Sequence, residues 1–179
     1  MRLLIFSSFL LMSYSLVAQA PHKSPGPLVP DFGAVWHVPN PEFETSKDIE
    51  YRVMFDIYNS PDDPERLNLA LNSLARFMNM HAKAGVPAKK LHVVGIVHNK
   101  ASWDLLMDEA YEEKFGVPNP NKKLIEQLTT AGAKIYQCGQ SLYSRAVPRD
   151  KLMPEIEVAL SAMTVIMNLQ QEGYQLIRF

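Results

Sequence analysis

The chain has 179 residues, 47% of them hydrophobic, and a formal net charge of −1. With 18 basic residues against 19 acidic ones and no basic run, it lacks the electrostatic footprint of a protein that binds nucleic acid or an anionic membrane. A single cysteine excludes an internal disulfide framework, and no Cys-x-x-Cys or His-x-x-x-His spacing offers a zinc site, so neither a metal nor a cofactor is expected.

The chain opens MRLLIFSSFLLMSYSLVAQA. Arg2, an apolar run from Leu3 to Val17 and the small-residue pattern Ala18-Gln19-Ala20 read as a secretory signal peptide over 1–20. The run is broken by Ser7, Ser8, Ser13 and Ser15 and is shorter than the ~20 apolar residues of a spanning helix. The mature chain is therefore expected to begin near Ala20 or Pro21, to be periplasmic or secreted, and to keep no membrane attachment after cleavage. Residues 21–48 follow as a Pro-rich segment holding Pro21, Pro25, Pro27, Pro30, Pro39 and Pro41, a spacing that excludes a regular helix. Its first part is expected to be a mobile linker, whereas Phe32, Val35, Trp36 and Val38 are apolar enough to pack on the domain that follows.

Residues 49–179 alternate strand and helix signals, the pattern of an α/β domain with a parallel sheet. YRVMFDI (Tyr51 to Ile57) reads as a first strand. Asp62 and Asp63 before Pro64 suit the start of a helix whose Leu67, Leu71, Leu74 and Met78 share a face and which Gly85 and Pro87 close. LHVVGIV (Leu91 to Val97) is nearly continuously apolar, as expected of a strand covered on both faces. ASWDLLMDEAYEEKF predicts one helix with Trp103, Leu106 and Ala110 on a stripe, ending at Gly116 to Pro118. Asn119 and Pro120 open another with Leu124, Ile125 and Leu128 inward and Gly132 at its end. KIYQC is a third strand, EIEVAL (Glu155 to Leu160) a fourth, SAMTVIMNLQQE a helix, and YQLIRF a fifth strand, all parallel.

In such a sheet ligands bind beyond the carboxyl ends of the strands, and Cys138 ends the third. Gly139 after it permits a sharp turn or the close approach of another molecule, and Gln140 and Ser141 offer polar groups. His98 ends the second strand and so reaches the same edge, whereas His92 lies ~20 Å away at the opposite one. Arg145 in the loop after the cysteine suits an anion or a thiolate. Each has a structural alternative: a small buried hydrophobe for Cys138, a cap or loop contact for His98, a surface charge for Arg145. Asp108, Glu109, Glu112 and Glu113 read as a solvated helix face, and Met78, Met153, Met163 and Met167 as core or subunit contacts. No Gly-x-Gly-x-x-Gly, Gly-x-x-x-x-Gly-Lys or Gly-x-Ser-x-Gly motif supports a nucleotide or hydrolase reading.

The runs VVGIVHNKASWDLL and GAKIYQCGQSLYSRAVPRDKLMPEIEVALSAMTVIMNLQQEGYQLIRF resemble the DsrE/DsrF-like family, particularly its exported members, over roughly Glu50 to Phe179. The resemblance implies a three-layer α/β/α sandwich with a five-stranded, mainly parallel sheet, assembled into a homo-oligomer, a trimer or hexamer. It also implies that Cys138 accepts sulfur as a persulfide and passes it on, with His98 beside it and Asn99, Gly139, Gln140, Ser141 and Arg145 around the ligand. Asn99 and Ala146 stand where many relatives carry glycine. Two functions follow: a sulfur carrier or sulfurtransferase that exchanges sulfane sulfur with a partner protein or small thiol, and a non-catalytic oligomeric module that binds a small ligand or senses redox state through Cys138.

Overall fold

A computed structural model describes residues 22–178 of the chain; the leader reading of residues 1–20 lies outside them. Two short antiparallel strands, β1 (Lys23–Ser24) and β2 (Val35–Trp36), precede the domain. The apolar runs then form β3 (Tyr51–Ile57), β4 (Leu91–Val97), β5 (Lys134–Cys138), β6 (Glu157–Ala159) and β7 (Gln175–Ile177), hydrogen-bonded in the order β6-β5-β4-β3-β7 with every pairing parallel. The helices are α1 (Leu69–Lys83), α2 (Asp108–Phe115), α3 (Lys122–Thr130), α4 (Gly139–Ser144) and α5 (Ala162–Gln171).

Side chains alternate across the sheet, and the register assigns each to a face. Val53, Phe55, Ile57, Val93, Val97 and Ile135 enter the larger core with α1, α2 and α3. Met54, Val94, Ile96 and Cys138 enter a smaller one under α5 alone. This is the expected α/β/α sandwich, thinner on the α5 side, where that single helix crosses from one edge strand to the other.

Three local expectations are corrected. The first helix starts at Leu69 rather than after Asp63, because Asn68 caps it, accepting from Ala70 and Leu71 N–H, while Asp63 accepts from Glu65 N–H in a local turn. The stretch read as one helix from Ala101 is broken into a 3₁₀ helix over Asn99–Leu105 and then α2. The break is held from outside: Asn119 donates its amide to the Asp104 and Leu106 carbonyls, and Leu106 bridges to Leu152. Leu106 is buried there, off any stripe shared with Trp103, which packs edge-on against Phe115. Finally, the Pro-rich segment from Lys23 onward is a docked strap rather than a linker. Val29 and Val35 are buried, Phe32 is half-buried, and Trp36 and Val38 remain exposed. Gly33 lies at φ 61°, with its α-carbon so close to α1 that a Cβ would stand 2.4 Å from the Ala75 carbonyl carbon.

A buried polar network fixes the loop after β3 against the 3₁₀ helix. Asp104 accepts from the Ser60 hydroxyl at 2.6 Å and from the Asn68 amide at 2.7 Å. Burial raises its pKa from 3.8 to about 6, against the lowering effect of those two hydrogen bonds. An unfolded Asp104 ionises near its ordinary value, so between about pH 4 and 6 the unfolded chain gives up a proton that the folded chain keeps. The stability Asp104 contributes is full below that window and falls by ~3 kcal/mol as pH rises through it. Asp104→Asn, which keeps an acceptor for Asn68, is expected to remove most of that fall, as urea unfolding at pH 4 and pH 7 will show.

Candidate functional site

Cys138 is the last residue of β5, on the α5 face, and is 5% exposed. Two chain turns converge on its sulfur. The first is its own: Cys138 is the N-cap of α4, so the Gln140 and Ser141 amides and the Ser141 hydroxyl belong to the helix turn that its side chain opens. The second comes from β6, which pairs with β5 so that Ala159 lies opposite Cys138. Two residues later Ser161 caps α5, its Oγ accepting from Thr164 N–H at 3.0 Å, and this delivers the Ala162 N–H to the same sulfur. Burial pushes the thiol pKa up, but the Ser141 hydroxyl and the Ala162, Ser141 and Gln140 amides outweigh it and hold the thiol below its ordinary value.

The expected neighbours are present but act differently. Because Val97 is in register with Gln137, His98 and Cys138 follow side by side on neighbouring strands. His98 also shares a sheet face with Asp56, and its Nε2 lies 2.7 Å from Asp56 Oδ1. Arg178 Nε stands 3.6 Å from the other Asp56 oxygen. His92 pairs with Glu50 at the opposite edge, as its position requires. Arg145 does not reach the sulfur either; its guanidinium donates to Asn99 Oδ1. The groups that lower the thiol pKa most are the Ser141 hydroxyl and the Ala162, Ser141 and Gln140 amides, rather than His98 or Arg145.

Gly139 also takes a different role. A Cβ there would stand 2.7 Å from the Ala159 carbonyl oxygen, so the close approach it permits is that of β6 to α4, and it is this that seats the second turn at the thiol. Gln140 is exposed and donates its side-chain amide to the Leu160 carbonyl at 3.3 Å. Asn99 and Ala146 both lie at left-handed φ, 55° and 51°. Both positions therefore take the conformation that glycine favours. Asn99 tolerates it, and gains a side chain that holds Arg145 while its own N–H donates to Ser141 Oγ at 3.0 Å.

Among the described residues no group of three His, Cys, Asp or Glu side chains could hold a metal ion, and no helix is long and apolar enough to cross a membrane. Of the acidic cluster, Asp108 pairs with Lys122 at 2.8 Å and Glu109, Glu112 and Glu113 are exposed.

The sequence profile of the DsrE/DsrF-like family matches residues 52–179. The chain belongs to the DsrE/DsrF-like family. No curated protein matches its sequence. Among solved structures, a protein of unknown function, MTH1491, from Methanobacterium thermoautotrophicum is similar at TM-score 0.55 and 19% identity, the match covering 72% of this chain and 99% of that one. The ychN protein from E. coli is similar at TM-score 0.52 and 14% identity, with the same coverage. At those identities the two likenesses establish the fold, which is the DsrE-like sheet described above. Membership in the DsrE/DsrF-like family suggests a role related to sulfur relay.

Two members of the site were not read from the sequence of this DsrE/DsrF-like chain. Asp56 left a signal, since it is the one ionisable residue in the apolar half of YRVMFDI, on the face of Met54. Ala162 left none: its amide matters only because β6 pairs beside β5.

Proposed function

We propose that the protein is an exported sulfur carrier that holds sulfane sulfur as a persulfide on Cys138. The observation that carries this is the placement of Cys138 at a strand end where it caps α4 and lies across from the strand that leads into α5, with the Ser141 hydroxyl and the amides of these two helix starts lowering its pKa in spite of burial. A thiolate is the nucleophile in sulfur exchange. Cys138 Sγ attacks the outer sulfur of a donor, a new S–S bond forms, the donor's S–S bond breaks, and the electron pair leaves with the donor. The terminal sulfur of the persulfide then passes to an acceptor thiol, on a partner protein or a small molecule, which returns Cys138 as thiolate. Family membership supports this reading.

Intact-mass measurement tests it. After exposure to polysulfide the wild-type protein should gain one sulfur atom, and lose it to a reductant. A second reading, an oligomeric small-ligand-binding or redox-sensing module, is favoured by the 5% exposure of Cys138. No sulfur gain from several donors would establish that reading in place of the first.

Export by the leader over 1–20 places this chemistry in the periplasm or outside the cell. N-terminal sequencing of protein from cells should begin near Ala20 or Pro21, and an intact Met1 would reverse the assignment. The protein works as a homo-oligomer, a trimer or hexamer. Leu160, Met163 and Met167, 72%, 73% and 57% exposed beside the thinly covered sheet face, support this, since water-facing apolar side chains at that density suit a subunit contact. Light scattering on the purified protein should report an assembly, and a monomer at micromolar concentration would contradict it.

A further inference from the structure

A cavity opens between α4 and the 3₁₀ helix, at the carboxyl edge of the sheet. It is open, about 480 Å³, and lined by Asn99, Trp103, Ser141, Ser144 and Arg145. Arg145 is partly buried in its wall, yet among the described residues its guanidinium meets no carboxylate and only the neutral Asn99 Oδ1. A partly desolvated cation without a counter-ion, facing two hydroxyls, calls for an anion with several acceptor oxygens, because the planar guanidinium donates two parallel hydrogen bonds to such a group. Two of its walls lie next to the reactive centre: Ser141 is in the first turn of α4, which Cys138 opens, and Asn99 follows His98, the neighbour of Cys138 across the β4–β5 pairing. A ligand that reaches from Arg145 to Ser141 thus arrives at the first turn of α4, which begins at Cys138.

We propose that this cavity holds the oxyanion end of a small thiosulfonate donor, of which thiosulfate is the simplest, and presents its outer sulfur to Cys138. The assignment rests on the sulfur-carrier reading above and adds the class of donor. In the reaction the Cys138 thiolate attacks the outer sulfur of S₂O₃²⁻, an Sγ–S bond forms, the S–S bond of thiosulfate breaks, and sulfite leaves with the electron pair. Three negative charges enter and three leave, as sulfite and the persulfide anion, so no outside oxidant or reductant is needed. Arg145 serves the donor by donating to the oxygens that remain on the departing sulfite. The Ser141 and Ser144 hydroxyls supply further donors, and Asn99 fixes the guanidinium.

The experiment measures loading of Cys138 by intact mass against thiosulfate concentration and, separately, against polysulfide, which carries no oxygen. It uses the wild-type protein, Arg145→Gln and Arg145→Lys. Removing a charge-assisted contact should raise the half-saturating thiosulfate concentration of Arg145→Gln ~10- to 100-fold. Its loss with polysulfide should be at least tenfold smaller, and Arg145→Lys should recover part of the thiosulfate effect. Equal losses with both donors would mean that Arg145 supports the thiol or the fold, and would overturn the donor assignment. So would a wild-type protein that loads from polysulfide and not from thiosulfate. A wild-type protein that loads from neither would overturn the sulfur-carrier reading itself.

Discussion

Cys138→Ser is expected to abolish sulfur uptake and leave the fold intact. The side chain sits in a small core with Met54, Val94, Ile96 and Ala162, and serine is close to cysteine in shape, so packing is retained. A serine at the N-cap of α4 also offers an oxygen that suits the amides of a helix start. Stability should therefore change by only about 1 kcal/mol in denaturant unfolding. Chemically the change is complete. A hydroxyl does not ionise near neutral pH and forms no persulfide, and this is the only cysteine in the chain. A folded serine variant that still gained sulfur would place the chemistry elsewhere.

Asn79→Ala should cost about 3 kcal/mol of stability and release the N-terminal strap. Asn79 is fully buried on α1, and its side chain is the strap's main anchor. Oδ1 accepts from the Leu28 and Val29 N–H groups at 3.2 and 3.0 Å, and Nδ2 donates to the carbonyls of Val29, Phe32 and Gly33 at 2.9, 2.9 and 3.2 Å. Truncation leaves those backbone groups without partners beneath a strap whose Val29 is itself wholly buried. Gly26 lies so close to Asn79 that a Cβ there would overlap it, at 1.9 Å from the side-chain carbon Cγ, so no shifted strap can restore the contacts with a bulkier residue. Urea unfolding gives the stability loss, and exchange of the Val29 amide reports release of the strap. A loss below about 1 kcal/mol would show that Asn72, which accepts from Gly33 N–H at 2.8 Å, and the contacts of Asp31 suffice to hold it.

The central strand was legible because LHVVGIV is nearly continuously apolar, as a strand covered on both faces must be, and YRVMFDI beside it because its residues favour extended chain. The 3₁₀ helix and α2 were not, because ASWDLLMDEAYEEKF has no breaker, and its interruption comes from Asn119 amide bonds and the Leu106–Leu152 bridge made across the fold. The strap was misread for a related reason: its prolines mark where a helix fails, whereas its order comes from one asparagine some fifty residues away. At the site, Cys138 could be placed at a strand end from its own neighbours. Local sequence suggested His98 and Arg145 as its tuning partners, because charged residues stand out there. Of the groups that do the tuning, the Gln140 and Ser141 amides follow from the place of Cys138 at a helix start, whereas the Ala162 amide arrives only through the pairing of β6 with β5. Asp56 likewise meets His98, and Arg178 meets Asp56, only through the pairing of β3 with β4 and β7.

The rate of Cys138 alkylation by iodoacetamide as a function of pH, in the folded wild-type protein, tests the account most directly. With the thiolate held by the Ser141 hydroxyl and by amides from the starts of α4 and α5, the rate should rise with a midpoint below the ~8.5 of a free thiol and remain fast at neutral pH. A midpoint at or above that value, with the slow reaction of an inert buried thiol, would contradict it.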